Sequence, residues 1–352
     1  MADARSSLGT TLTIRDVASH AGCSTATVSR ALNSPEKVDP QTLIAVRAAI
    51  CATGYRPSAL GRMLRAGQSR VIGVVIPTIA NPVFGETLQG IDEFATQAGY
   101  RLMLMTTEYD HERERLAIDT LREHRVDGLI LTVSDAVTNP HLDQLDQAGI
   151  PYVLAHNDAR SADRASVARM SVSVDNFTAA RDGVRQMLAF GHRRISMLAG
   201  TLAASDRAQQ RVAGYAAAMH EAGLTPSPVI EATFTAERLS AEALHALTAR
   251  DNHPSALFCS NDRLAMIAIM ALNEANVAVP SSMSVMGFDG LSEGAWCAPV
   301  LTTICVPNRE IGRQAWRCLQ HTIEHRSKAD ADADAVHLDH TIRLGGTLTR
   351  IF

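Results

Sequence analysis

The 352 residues predict an α/β protein in two parts: a small all-α helix-turn-helix head and a larger, two-lobed body built on parallel sheets. Three observations lead there. Apolar residues recur at helical spacing through the first fifty-odd positions. From Val71 onward, short apolar runs alternate with amphipathic helices, and that theme restarts near residue 177. Charge is split as well. Residues 1–70 hold nine of the 33 Lys and Arg but only four of the 37 Asp and Glu, so the net charge of −4 hides a basic head on an acidic body. That asymmetry fits a polyanion binder mounted on a sensor.

The head follows a polar leader, residues 1–12, expected to be disordered, and spans 13–56. Thr13 with Asp16 has capping-box character and opens a first helix. Ile14, Val17, Ala18 and Ala21 form its apolar stripe, and Gly22 ends it. Ser24 caps a second helix, in which Val28, Ala31 and Leu32 face inward and turn Thr25, Ala26, Ser29 and Arg30 outward. Asp39-Pro40 starts a third helix, with Leu43, Val46 and Ile50 on its core face and Gly54 at its end. Two short helices joined by a tight turn can be an ordinary αα-hairpin, or a helix-turn-helix whose second helix enters the DNA major groove. Residues 57–70 interleave Leu60, Met63 and Leu64 with Arg62 and Arg65, reading as a short helix and linker.

The body spans 71–352. Candidate strands are 71–76, 101–106, 128–133 and 151–155, with helices at 82–98 and 112–124 between them. The second series is helix 177–190, strand 194–200, helix 207–222, strands 228–234 and 255–260, helix 262–275 and strand 284–290. Two parallel sheets in tandem imply two lobes, with ligands meeting the carboxyl ends of the strands in the cleft between. The lobes are expected at about 71–172 plus 303–330 and 173–302 plus 331–352. The alternating Lys, Ala and Asp of 328–334 read as an exposed acidic connector. No heptad pattern follows it, so no coiled-coil tail is expected.

Several function classes find no footing. The six cysteines show no CxxC spacing and mostly sit in apolar runs, reading as reduced core thiols. With no basic-then-apolar leader and no apolar run of membrane-spanning length, a cytoplasmic location is expected. GxxxxGK[ST], GxSxG, HExxH and a strand-linked GxGxxG are all missing. No metal site, cofactor or catalytic set is therefore assigned, and an enzyme is not expected. A solute-binding receptor suits the body, but not the basic helical head.

A collinear series of segments resembles the lac-repressor/purine-repressor (LacI/GalR) family of bacterial transcription regulators over nearly the whole chain. It includes TIRDVASHAGCSTATVSRALN, GYRPSALGRMLR, VIGVVIPTIANPVFGETLQGI, GHRRISMLAG, PSALFCSNDRLAMIAI and VPSSMSVMGFDG. The resemblance implies a DNA-binding head, a hinge helix and a periplasmic-binding-protein-like sensor whose ligand tunes operator affinity. It implies further that a homodimer binds a pseudo-palindromic double-stranded operator and represses genes of carbohydrate metabolism.

Thr25, Ala26 and Arg30 match the family's base-reading positions. Arg30 can reach a guanine edge bidentately, whereas Ala26 offers only methyl contact. Thr27, Ser29, Tyr55, Arg62 and Arg65 join them as candidate DNA contacts. Leu64 matches the hinge leucine that wedges into the minor groove. Gly61 stands where the family usually has Ala, which costs the hinge helix about 1 kcal/mol. In the sensor, Phe84, Arg211, Phe234, Asn261, Asp262 and Asp289 match effector-pocket positions, and His156 is a further polar candidate, with Asn157 and Asp158 beside it. Each also has a plain structural reading: Phe84 and Phe234 as core, Asn261-Asp262 as a helix cap, Asp289-Gly290 as a turn, Arg211 as a surface ion pair. A cation, an anion, an amide and aromatic walls suit a sugar or sugar acid, with a purine or nucleoside as the alternative.

Overall fold

The computed structural model describes residues 12–55, 68–158, 169–249, 253–325 and 335–351. The chain divides into two compact units, Met1–Ser69 and Arg70–Phe352. The polar leader up to residue 11, most of the expected hinge segment and the acidic connector fall outside the described residues.

The head consists of α1 (Ile14–Ala21), α2 (Thr25–Asn33) and α3 (Pro40–Thr53). Local chemistry sets each boundary. The Asp16 carboxylate accepts the Thr13 backbone N–H at 2.7 Å and its hydroxyl at 2.8 Å, and these bonds hold the Asp16 carboxyl below its usual range. Gly22, at φ +61°, ends α1 in the left-handed region. Ser24 Oγ then accepts Thr27 N–H at 3.1 Å and Asp39 accepts Thr42 N–H at 3.0 Å, capping α2 and α3. The core is small: Val17, Ala18, Val28, Ala31, Val46 and Ala49 are buried, with Ile14, Leu32, Leu43 and Ile50 against them.

The body holds two six-stranded sheets. The strands of the first are β1 (Val71–Ile76), β2 (Arg101–Thr106), β3 (Gly128–Leu131), β4 (Tyr152–Ala155), β5 (Ser171–Val174) and β11 (Val336–Leu338). Their order is β11-β5-β4-β3-β1-β2, and every pairing is parallel. The second contains β6 (Ile195–Gly200), β7 (Ile230–Ala232), β8 (Ala256–Cys259), β9 (Ser284–Asp289), β10 (Thr302–Cys305) and β12 (Thr341–Arg343). Its order is β12-β10-β9-β8-β6-β7, parallel except where β12 runs against β10. The helices are α4 (Pro82–Gln97), α5 (His111–Glu123), α6 (Pro140–Gln147), α7 (Asn176–Ala189), α8 (Asp206–Glu221), α9 (Ala241–Thr248), α10 (Asp262–Glu274), the short α11 (Glu293–Trp296) and α12 (Asn308–Glu324). None of the described helices is long and apolar enough to cross a membrane.

Strand pairing moves the expected lobe boundaries. Thr303–Cys305 belongs to the second sheet through β9, not to the first lobe. Conversely, β11 lies in the first sheet beside β5 although 331–352 was assigned to the second lobe. The chain thus crosses between lobes after Val174, after Cys305 and between Leu338 and Thr341. Pairing partners decide lobe membership, and β10 and β11, which mix polar with apolar residues, carry no continuous apolar run to announce them. The cysteines need a smaller correction: all six are free, but only Cys259 is fully buried and Cys51 is exposed.

Two helix crossings lack any side-chain cushion. A Cβ at Gly90 of α4 would lie 2.0 Å from the Arg309 carbonyl oxygen, and one at Gly312 of α12 would lie 2.1 Å from that of Thr87. On the second lobe, Gly214 of α8 meets the Phe177 carbonyl oxygen in the same way, at 2.2 Å. Backbone cannot step aside as a side chain can, so Gly312→Ala is expected to cost about 1–3 kcal/mol. Urea unfolding checks this as a lowered midpoint at unchanged slope; an unmoved midpoint would mean that the helices separate freely.

Candidate functional site

The head offers one surface of recognition chemistry. Thr25, Ala26 and Arg30 are exposed on α2, as the spacing predicted, and Ser29 and Thr27 are half-buried. Thr27 is partly committed to the cap, its Oγ1 lying 2.9 Å from Ser24 Oγ. Tyr55 is half-buried against the head core. Gly61, Arg62, Leu64 and Arg65 lie outside the described residues.

The body's cleft opens at the carboxyl ends of both sheets and holds about 570 Å³ of free space, its mouth included. Phe84, His156, Arg211, Phe234, Asn261 and Asp289 all line it. Asp262 does not. It is fully buried behind the wall, where it accepts the Thr303 hydroxyl at 2.5 Å and the Leu291 backbone N–H at 2.7 Å. It positions the Asp289 turn from beneath. Asn157 is likewise structural: its side chain bonds to both Val133 backbone groups and to Asp206.

Arg211, on α8, is the centre of the cleft's polar network. Its Nε donates to Asn176 Oδ1 at 2.8 Å, and its Nη1 donates to the Ser260 carbonyl at 2.5 Å and to Asp289 Oδ1 at 3.4 Å. The guanidinium also stacks on Phe288, with Cζ 3.6 Å from the ring centroid. Burial lowers its pKa only to about 10, so it remains a cation. Asp289 ends β9 at φ +124°, a strained conformation for a residue with a Cβ. Phe84 meets His156 edge-on at 5.8 Å, and His156 Nε2 lies 2.8 Å from the Thr87 hydroxyl. Phe234 stacks on Tyr109 at 4.2 Å and 13°, which joins one lobe to the other at the cleft wall.

The sequence reading missed Asn81, Tyr109, Asn176, Arg207 and Asn308, which also line the cleft. Asn176 and Asn308 begin helices that follow β5 and β10, two strands the sequence pattern did not reveal. Among the described residues, no group of three or more metal-ligating side chains occurs.

Burial pushes Asp289 up to about 7 and, helped by the nearby Asp289 charge, Asp262 up to about 8. Both acids bind protons more tightly folded than unfolded, so their stabilisation is complete at acid pH and is lost as pH rises through 7 and 8. Burial, with the charges of Arg207 and Arg211, lowers His156 to about 3. Its contribution has the opposite sign: full above 6.5, it is lost as pH falls. The two trends oppose each other below pH 6.5, leaving only the acids' loss above it. The melting temperature is therefore expected to fall between pH 6.5 and 8, and Asp289→Asn should flatten that slope. An equal slope in the variant removes Asp289 as its source.

Comparison with known proteins agrees with this division. Residues 13–58 match the family model described as bacterial regulatory proteins, lacI family. Residues 69–339 match that of periplasmic binding proteins and the sugar binding domain of the LacI family. Catabolite control protein A of Priestia megaterium is 32% identical over 94% of this chain and 97% of its own. The HTH-type transcriptional repressor PurR of Haemophilus influenzae is 35% identical over 90% and 92% of the two chains. Among solved structures, a LacI-family regulator from Silicibacter pomeroyi superposes with a TM-score of 0.82 at 26% identity, covering 96% of this chain and 100% of that one. The Lac repressor dimer bound to operator and the anti-inducer ONPF shares the fold, with a TM-score of 0.82 at 24% identity over 97% of this chain and 100% of its own. Head, sheet topology and cleft together have one reading: the chain belongs to the LacI family of bacterial DNA-binding transcription regulators.

Proposed function

We propose that this regulator represses carbohydrate-metabolism genes as a cytoplasmic homodimer, and that a sugar or sugar acid held in the cleft controls its affinity for the operator. It acts by binding, without catalysis. The observation that carries the proposal is the Arg211–Asp289 pair, set among amide side chains from both lobes. Adjacent donors and acceptors match hydroxyl groups, each of which both donates and accepts. A purine or nucleoside is the weaker reading, because the Phe234 face is already taken by Tyr109. A ligand touching both lobes favours one lobe arrangement by its differential affinity, and the linker passes that bias to the head.

One α2 reads few base pairs, so two-fold pairing on a pseudo-palindrome is needed for useful specificity. Selection from randomised duplexes is expected to enrich a pseudo-palindrome whose affinity falls steeply with salt as counterions are released. Enrichment of a single half-site at undiminished affinity, or of no sequence at all, would sink the proposal.

A further inference from the structure

Arg207 is a buried cation with more than half its donors unspent among the described residues. It is 7% exposed and lines the cleft at the start of α8. Its Nη1 donates to the Val133 carbonyl at 2.7 Å and to Asp206 Oδ1 at 3.3 Å, which pins the guanidinium plane. Its Nε and Nη2 make no hydrogen bond among the described residues, and neither does Nη2 of Arg211. Arg207 lines the cleft, and the Nε–Nη2 edge of a guanidinium fits the two oxygens of a carboxylate.

The surroundings favour an anion there. Helices α4, α7, α8, α10 and α12 all begin at the cleft, so five positive dipole ends face it. The nearby acids are engaged: Asp206 accepts the Ala136 N–H and the Asn157 amide, Asp289 accepts Arg211, and Glu86 accepts the Asn308 amide. His156, also facing the cleft, is held neutral by burial and by the two arginine charges.

A second group makes a different demand. Asn308 is 2% exposed, and its Oδ1 is buried without a hydrogen-bond partner among the described residues. An ionised carboxylate cannot donate to it; a hydroxyl can.

We propose that the cleft takes a polyhydroxylated carboxylic acid, with its carboxylate on the Nε–Nη2 edge of Arg207 and a hydroxyl donating to Asn308 Oδ1. The proposal rests on the reading that the cleft holds the effector, and it narrows that reading to one charge class. A neutral sugar leaves Arg207 unmatched; a nucleobase supplies no anion. Arg207 is thus the residue that selects for charge, while Arg211 and Asp289 hold the ring.

Calorimetry on the full chain with matched pairs tests this: gluconate against sorbitol, glucuronate against glucose, and galacturonate against galactose. Glucose 6-phosphate and adenosine complete the panel. At least one acid is expected to bind about tenfold or more tighter than its neutral partner. Arg207→Gln should erase that preference while operator binding persists, and Arg207→Lys should restore part of it. The proposal is overturned if neutral members bind as tightly as their acids, if only the phosphate ester or adenosine binds, or if Arg207→Gln keeps the preference. Those outcomes leave an effector cleft standing. If no member binds and operator affinity ignores the whole panel, the effector reading falls with the proposal.

Discussion

Arg211→Ala is expected to destabilise the sensor by about 3–5 kcal/mol, the usual cost of stranding one member of a buried ion pair. Its partner Asp289 is 4% exposed and would lose its only paired cation among the described residues. Asn176 Oδ1 and the Ser260 carbonyl would lose a donor in the same step. The sequence reading treated Arg211 as a ligand contact or a surface ion pair; burial makes it part of the fold too. Arg211→Ala combined with Asp289→Asn removes both charges and should recover a large share of the loss. Urea unfolding of the three variants decides the matter. A single-variant cost below about 1 kcal/mol would show that the pair is effectively solvated. In the double variant, retained folding with lost effector response separates the two roles of the site.

Arg30→Ala carries the second large effect, on DNA. Arg30 is exposed on α2, one turn beyond the exposed Thr25 and Ala26, and its side chain has no hydrogen bond or ion pair among the described residues. A bidentate contact to guanine contributes about 1–3 kcal/mol of discrimination, and a symmetric dimer uses it twice. Specific affinity should therefore drop by roughly 2–6 kcal/mol in total, with preference relaxed at one base pair in each half-site. Selection on randomised operators reads both quantities. A variant that weakens all duplexes equally would mean that Arg30 only touches phosphate.

The head was legible almost residue by residue. Capping side chains, Gly22 and Gly54, and an apolar stripe of three or four residues per helix are all local signals, and each sits where the pattern put it. The body was legible wherever a strand is long and apolar, as in 71–76 and 195–200. It was illegible in β5, β10, β11 and β12, short strands whose polar and apolar residues are mixed and give no apolar run. The missed cleft residues follow from that. Asn176 and Asn308 stand just beyond β5 and β10, so the strand-end position that supported Asp289 at the end of β9 could not single them out. Asp262 shows the opposite error: it was matched to the pocket by position, while its carboxylate turns back into the wall to hold Thr303 and Leu291.

The three passages of the chain between the lobes have a mechanical meaning. One strap would let two bodies swing and twist at will; two would still allow rotation about the line joining them. Three short straps side by side, the last spanning only Asp339 and His340, leave essentially one compliant angle. A cleft ligand of the kind proposed above would then act chiefly by opening or closing that angle. Lengthening the last strap by two glycines is expected to loosen that angle without touching either binding surface.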